Sequence, residues 1–148
     1  MPSRRKQKVV IDTGVLGLAF AFGGVPRKAL QQIIQSAEVY LSRELLDEYR
    51  EVPGALLAEG KITPLQWQAL VVGIASVVTA AQVVSPRKEI VVCRDPKDDM
   101  VLTCCLAARA NILLTGGKDL LTIDHATLFQ IGLGHLHIFT PREYLASL

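Results

Sequence analysis

Apolar residues along this chain fall into two patterns. Short clusters, Val9-Val10-Ile11, Val39-Tyr40-Leu41, Val83-Val84, Ile90-Val91-Val92, Ile112-Leu113-Leu114 and Leu136-His137-Ile138-Phe139, have the length and β-branched content of strands. The segments between them repeat apolar positions every three or four residues, the period of a helix with one buried face. Helices are predicted near 27–36, over 42–52, from 63 to about Ala80 and from Asp95-Pro96 to about Ala110. A short helical piece is expected at 55–59, another after the glycines at 116–117, and a last helix from Pro141. Ser42, Thr63-Pro64 and Asp95-Pro96 are start signals, because a side-chain oxygen accepts from the free amides of a first turn and proline there has no amide to lose. Pro53-Gly54 is read as a stop. Strands alternating with helices predict an α/β fold, a three-layer α/β/α sandwich around a central, mostly parallel sheet. One domain is expected over residues 1–148, with a basic tail at 1–7.

Composition fits such a core, since half the residues are apolar and only 5% aromatic, leaving aliphatic side chains to fill the layers. The longest apolar stretch, Ala69 to Val84, is interrupted by Gly73, Ser76, Thr79 and Gln82, so a buried helix running into a strand is expected in place of a membrane span. The run behind the basic amino terminus breaks at Asp12, which argues against a signal peptide and for a cytoplasmic location. Cys93, Cys104 and Cys105 have no zinc-site spacing and are expected to be small core fillers. A net charge of +2 does not announce nucleic-acid binding. The local clusters Arg4 to Lys8, Arg27-Lys28, Arg87-Lys88 and Arg94 to Lys97 would follow a phosphate backbone if the fold gathers them, and otherwise are solvated surface.

Candidate chemistry begins at Asp12. A carboxylate closing a strand lies on the sheet edge where α/β folds bind ligands, and Leu114 is followed in the same way by Thr115-Gly116-Gly117-Lys118-Asp119. At about 100° per residue, Glu48 borders the stripe formed by Leu45, Tyr49 and Val52. Asp98 falls among Val101, Leu102, Cys105 and Arg109, with Asp99 at the edge of that stripe. Each acid has an ordinary alternative: a turn cap for Asp12, a surface pair for Glu48, a favourable place near a helix start for Asp98, a loop acid for Asp119. Two strand ends and two inward helix faces together suggest that Asp12, Glu48, Asp98 and Asp119 converge and need a cation to offset their repulsion. Hard oxygen ligands suit magnesium or manganese, ions that support phosphodiester hydrolysis.

The blocks Val9-Val10-Ile11-Asp12-Thr13, Leu41 to Val52, Cys93 to Asp99 and Leu113 to Leu121 resemble, in order and spacing, the motifs of PIN-domain ribonucleases, closest to the toxins of toxin–antitoxin systems. The resemblance spans about residues 8 to 145. It implies a parallel-sheet fold and a Mg2+- or Mn2+-dependent endonuclease acting on single-stranded RNA, with Asp12, Glu48 and Asp98 at the family's acidic positions. Homodimerisation and inhibition by a small antitoxin protein are implied by the same analogy. The fourth block departs: where the family has Thr-x-Asp-x-Asp, this chain has Thr115, then Gly117, then Asp119.

That departure keeps a second reading open, a catalytically weakened module that binds RNA or protein. A phosphotransfer enzyme with Asp12 as nucleophile is weaker, because Asp12-Thr13-Gly14 lacks the Asp-x-Asp pattern. No GxxxxGK phosphate loop occurs. His125, His135 and His137 lack ligand spacing and are expected to be solvated or structural, Trp67 is expected to pack, and Ser42, Thr13 and Thr115 are candidates to orient carboxylates or a water.

Overall fold

The computed structural model describes residues 6–148, so Arg4, Arg5 and most of the expected basic tail lie outside the described residues. Five strands, β1 (Lys8–Ile11), β2 (Glu38–Ser42), β3 (Gln82–Val84), β4 (Ile112–Leu114) and β5 (His137–Phe139), form one sheet in the order β3-β2-β1-β4-β5. Every pairing is parallel, with Val10 opposite Tyr40 on one side and Leu113 on the other. Val9, Val10, Ile11, Leu113 and Leu114 are fully buried, as expected of central strands covered on both faces.

Among the described residues eight helices flank the sheet, the first seven between strands and the last after β5: α1 (Thr13–Phe22), α2 (Gly24–Ser36), α3 (Arg43–Ala58), α4 (Pro64–Ala80), α5 (Pro96–Ala108), α6 (Lys118–Leu121), α7 (His125–Gln130) and α8 (Pro141–Ala146). The chain steps from β1 outward to β2 and β3, then crosses back to β4 and outward the other way to β5. Right-handed crossovers therefore put α1 to α4 on one face and α5 to α7 on the other. The packing agrees: α1 rests on α2 and α4, α3 on α4, and α5 on β1, β2 and β3, while α8 returns to pack on α2. The reversal falls between β1 and β4. Their carboxyl ends flank the crevice where ligands bind in open parallel sheets, and Asp12 and Thr115 are the first residues beyond those two ends.

Four details differ from the sequence reading. Helix α1 was not expected; after Thr13 its sequence TGVLGLAFAF offers no polar position to mark a face, and it carries glycines, which lower helix propensity. Tertiary packing forms it instead: a Cβ at Gly73 of α4 would stand 2.2 Å from the Phe20 ring, so only glycine admits this approach of α4 to α1. Helix α3 does not stop at Pro53 but runs to Ala58, absorbing the lost amide bond because Pro53 and the half-buried Leu56 are held against neighbours.

Residues 90–92 are not a strand. They form part of a strap along α5, whose side chains take up its amides: Thr103 Oγ1 accepts from Ile90 N at 3.0 Å, and Asp99 Oδ1 from Val92 N at 2.9 Å and Cys93 N at 2.8 Å. Finally, the helix read from Ala69 onward is only half buried. Leu70, Gly73, Ile74 and Val77 face inward, whereas Val72 and, earlier in α4, Leu65 are exposed. Among the described residues no helix is long and apolar enough to cross a membrane.

Candidate active site

Asp12 extends the central ladder by one residue, its amide donating to Leu114 O at 2.9 Å. It occupies the N-cap position of α1, yet its side chain makes no cap hydrogen bond. The carboxylate is held from the other strand end instead. Thr115 Oγ1 donates to Asp12 Oδ2 at 2.7 Å and accepts from Gly117 N at 2.9 Å, so one fully buried hydroxyl fixes both the acid and the turn after β4. Beside it, Thr13 Oγ1 is buried without a hydrogen-bond partner, which costs about 1–3 kcal/mol unless a water or ligand satisfies it.

Glu48 arrives on α3, a helix started by Ser42, whose Oγ accepts from Leu45 N at 3.2 Å. The fully buried Tyr49 hydroxyl donates to Ile11 O, the carbonyl just before Asp12, and so locks α3 to the end of β1. Burial pushes that phenol well above its ordinary value, with the neighbouring Cys104 and the carboxylates of Asp12 and Glu48 adding to it. Glu48 itself is half-buried.

On α5, with Asp95 capping through Lys97 N at 2.9 Å, two adjacent acids part company. Asp98 is half-buried, and its carboxyl is pushed up first by burial and then by the carboxylates of Asp95, Asp12, Asp119 and Asp99. Asp99, expected at the stripe's edge, is the more buried of the two, only 9% exposed. Burial would raise it, but the amide bonds from Val92 and Cys93 and the Cys93 thiol outweigh that and leave it below the ordinary value. Asp119, exposed on α6, pairs with Arg94 of the strap, Nη2 to Oδ1 at 3.2 Å.

Asp12, Asp98 and Asp119 thus share one electrostatic field, and Glu48 joins through Tyr49. They do not form a closed cage: among the described residues no three His, Cys, Asp or Glu side chains make up a metal-holding group. The all-oxygen donor set suits a hard divalent ion, and magnesium in particular keeps several waters and needs only one or two carboxylates. A largely hydrated ion fits these residues; a tightly caged one does not. At Gly117 a Cβ would lie 3.8 Å from Asp12 Oδ2, so the side chain missing from this position would have faced the same carboxylate.

A family model described as PIN domain matches residues 8–119. The chain belongs to the PIN-domain family. PIN domains are generally nucleases, and their nucleases generally depend on a divalent metal. No curated protein matches this sequence. Among solved structures, that of VapBC2 from Rickettsia felis bound to a DNA fragment from its promoter resembles this PIN domain with a TM-score of 0.55 at 9% identity. The likeness covers 89% of this chain and 98% of that one, and it is a likeness of fold.

Other residues of this PIN domain fill bland roles. Cys104 and Cys105 are buried, and Cys93 is half-buried with its thiol pushed up to about 12, chiefly by burial and by Asp99. The three histidines are exposed, His137 stacking on Phe139, and Trp67 is 37% exposed, less packed than expected. The sequence reading missed Tyr49 as an anchor and Arg142, which lines a cleft with Asp12. The strand-end logic that found Asp12 and Thr115 would have found Arg142, had it been applied to the end of β5.

Proposed function

We propose that this PIN domain is the toxin of a toxin–antitoxin pair, an endoribonuclease that hydrolyses phosphodiester bonds of single-stranded RNA with Mg2+ or Mn2+. The observation that carries the reading is the Asp12–Thr115 hydrogen bond at the point where the sheet reverses direction, with Asp98 in the same field. A divalent ion supplies a more acidic water and neutralises charge on the departing oxygen. Asp12 and Asp98 would hold it, with Glu48 and Asp119 reaching it through water.

The chain's own residues supply aim. Thr115 keeps Asp12 in one rotamer, Tyr49 holds the turn bearing Glu48, and Asp99 fixes the strap from which Arg94 reaches Asp119. Homodimerisation and capture by a small antitoxin belong to the same proposal, supported by the fold likeness to VapBC2 and by the exposed Leu65 and Val72 of α4. Replacing Asp12→Asn takes a carboxylate from the ion and should abolish Mn2+-dependent cleavage of single-stranded RNA without lowering folding stability. Unchanged cleavage would remove the proposal.

The second reading, a module that binds RNA or protein without cleaving, is favoured by two observations: Gly117 stands where a side chain would face Asp12, and among the described residues no metal-holding group of three such side chains is preformed. Calorimetric titration with magnesium and manganese separates the readings. Binding seen only after Gly117→Asp supports the inactive module.

A further inference from the structure

Beside the acids, between α1, the start of α2, the loop after β4 and the start of α8, lies a cleft of about 650 Å³, within the ~300–1,000 Å³ usual for ligand sites. Asp12, Gly116 and Gly117 line it together with Leu18, Val25 and Pro26, and the exposed Arg142 lines it as well. Among the described residues Arg142 is in no ion pair, whereas Arg94 is tied to Asp119. Its backbone is well fixed: Thr140 and Glu143 cap each other across the first turn of α8, and the next residue, Tyr144, is buried. Glu143 is therefore engaged with the backbone and does not serve as Arg142's partner. Nothing stands within 4 Å of a Cβ built at Gly116, so a ligand can approach the backbone there. Leu18 keeps 51% of its surface exposed.

We propose that this cleft seats one nucleotide of the RNA substrate, with Arg142 holding a backbone phosphate and the wall of Leu18, Val25 and Pro26 covering a base. The assignment rests on the ribonuclease reading and adds to it a substrate subsite and a positioning residue. A guanidinium with free donors matches phosphate oxygens in a bidentate fork. An apolar peptide would cover Leu18 but strand the Arg142 charge, and a peptide bringing its own arginine to Asp12 would meet Arg142 as a like charge. A nucleotide satisfies the apolar wall and the cation together. Lacking an aromatic ring, the wall grips a base by contact and not by stacking, so this subsite discriminates weakly between bases.

The test is fluorescence anisotropy of a labelled single-stranded pentaribonucleotide in magnesium, with full-length protein carrying Asp98→Asn, which stops hydrolysis and leaves the cleft lining intact. Adding Arg142→Gln should weaken binding about tenfold and reduce the slope of log affinity against log salt by about 0.7, the value for one lost contact to a single strand. Arg142→Lys should keep the slope, and Leu18→Ser should weaken binding without changing it. If the Asp98→Asn protein binds RNA and Arg142→Gln leaves affinity and slope unmoved, the cleft assignment is overturned while the ribonuclease reading stands. Failure of that protein to bind RNA that the wild-type chain still cleaves would dismiss the cleft equally. An unmoved RNA affinity alongside an amphipathic arginine peptide whose binding is lost in Leu18→Ser would give the cleft to a protein partner. A wild-type chain that neither binds nor cleaves RNA sinks both proposals.

Discussion

On one side of the first turn of α5, Asp99 is buried and accepts two backbone amides of the strap; on the other, the half-buried Asp98 is opposed as an anion first by burial and then by the carboxylates of Asp95, Asp12, Asp119 and Asp99. The two carboxylates are consecutive, yet one is stabilised as an anion and the other is opposed. A carboxylate that the fold satisfies is there for structure. A carboxylate that the fold leaves among other acids is the one with capacity to spare for a cation, the role proposed above for Asp98.

The sharpest way to break this contrast is by stability. Asp99→Ala removes a charged acceptor from two amides and should cost roughly 3 kcal/mol, read as a lower urea midpoint. Asp98→Asn should leave the midpoint unchanged or raise it, while cleavage falls. Equal losses in the two variants would mean that both acids are structural. A smaller effect sharpens the cleft side. Gly117→Asp, at an ordinary φ of −74°, should tighten magnesium binding about tenfold by calorimetry and slightly lower the metal-free melting temperature. No change in affinity would show that position 117 does not address the ion.

The smallest effect is in pH. Asp99's lowered folded value means that its contribution is present above the ordinary aspartate value of 3.8 and is lost as pH falls through the folded value. Asp98's raised folded value has the opposite sign: its contribution is present below 3.8 and is lost as pH rises through the folded value. Metal-free stability followed by urea titration at successive pH values should therefore lose its high-side decline in Asp98→Asn and its low-side decline in Asp99→Asn.

This contrast also shows where sequence reasoning reached and where it stopped. The strand end at Asp12, the Asp95-Pro96 helix start and the glycine turn after β4 were legible because each is written in neighbouring residues. The division of labour between Asp98 and Asp99 was not. A helical wheel places Asp98 inward and Asp99 at the margin, but it cannot know that residues 90–93 return along α5 and present their amides to Asp99. The same non-local packing hid α1, whose formation depends on Gly73 in α4, and turned the apparent strand at 90–92 into a strap. Arg142 follows the end of β5 and was within reach of the strand-end logic, but that it shares a cleft with Asp12 follows from α8 docking against α2.

The notch at Gly73 reaches further than its size suggests. Helix α1 springs directly from Asp12, so the depth at which Phe20 sinks into α4 sets the tilt of the rod on which the acid is mounted. A larger residue at that notch would have to push α1 off α4, and the strain would be passed along the helix to the turn that begins at Asp12.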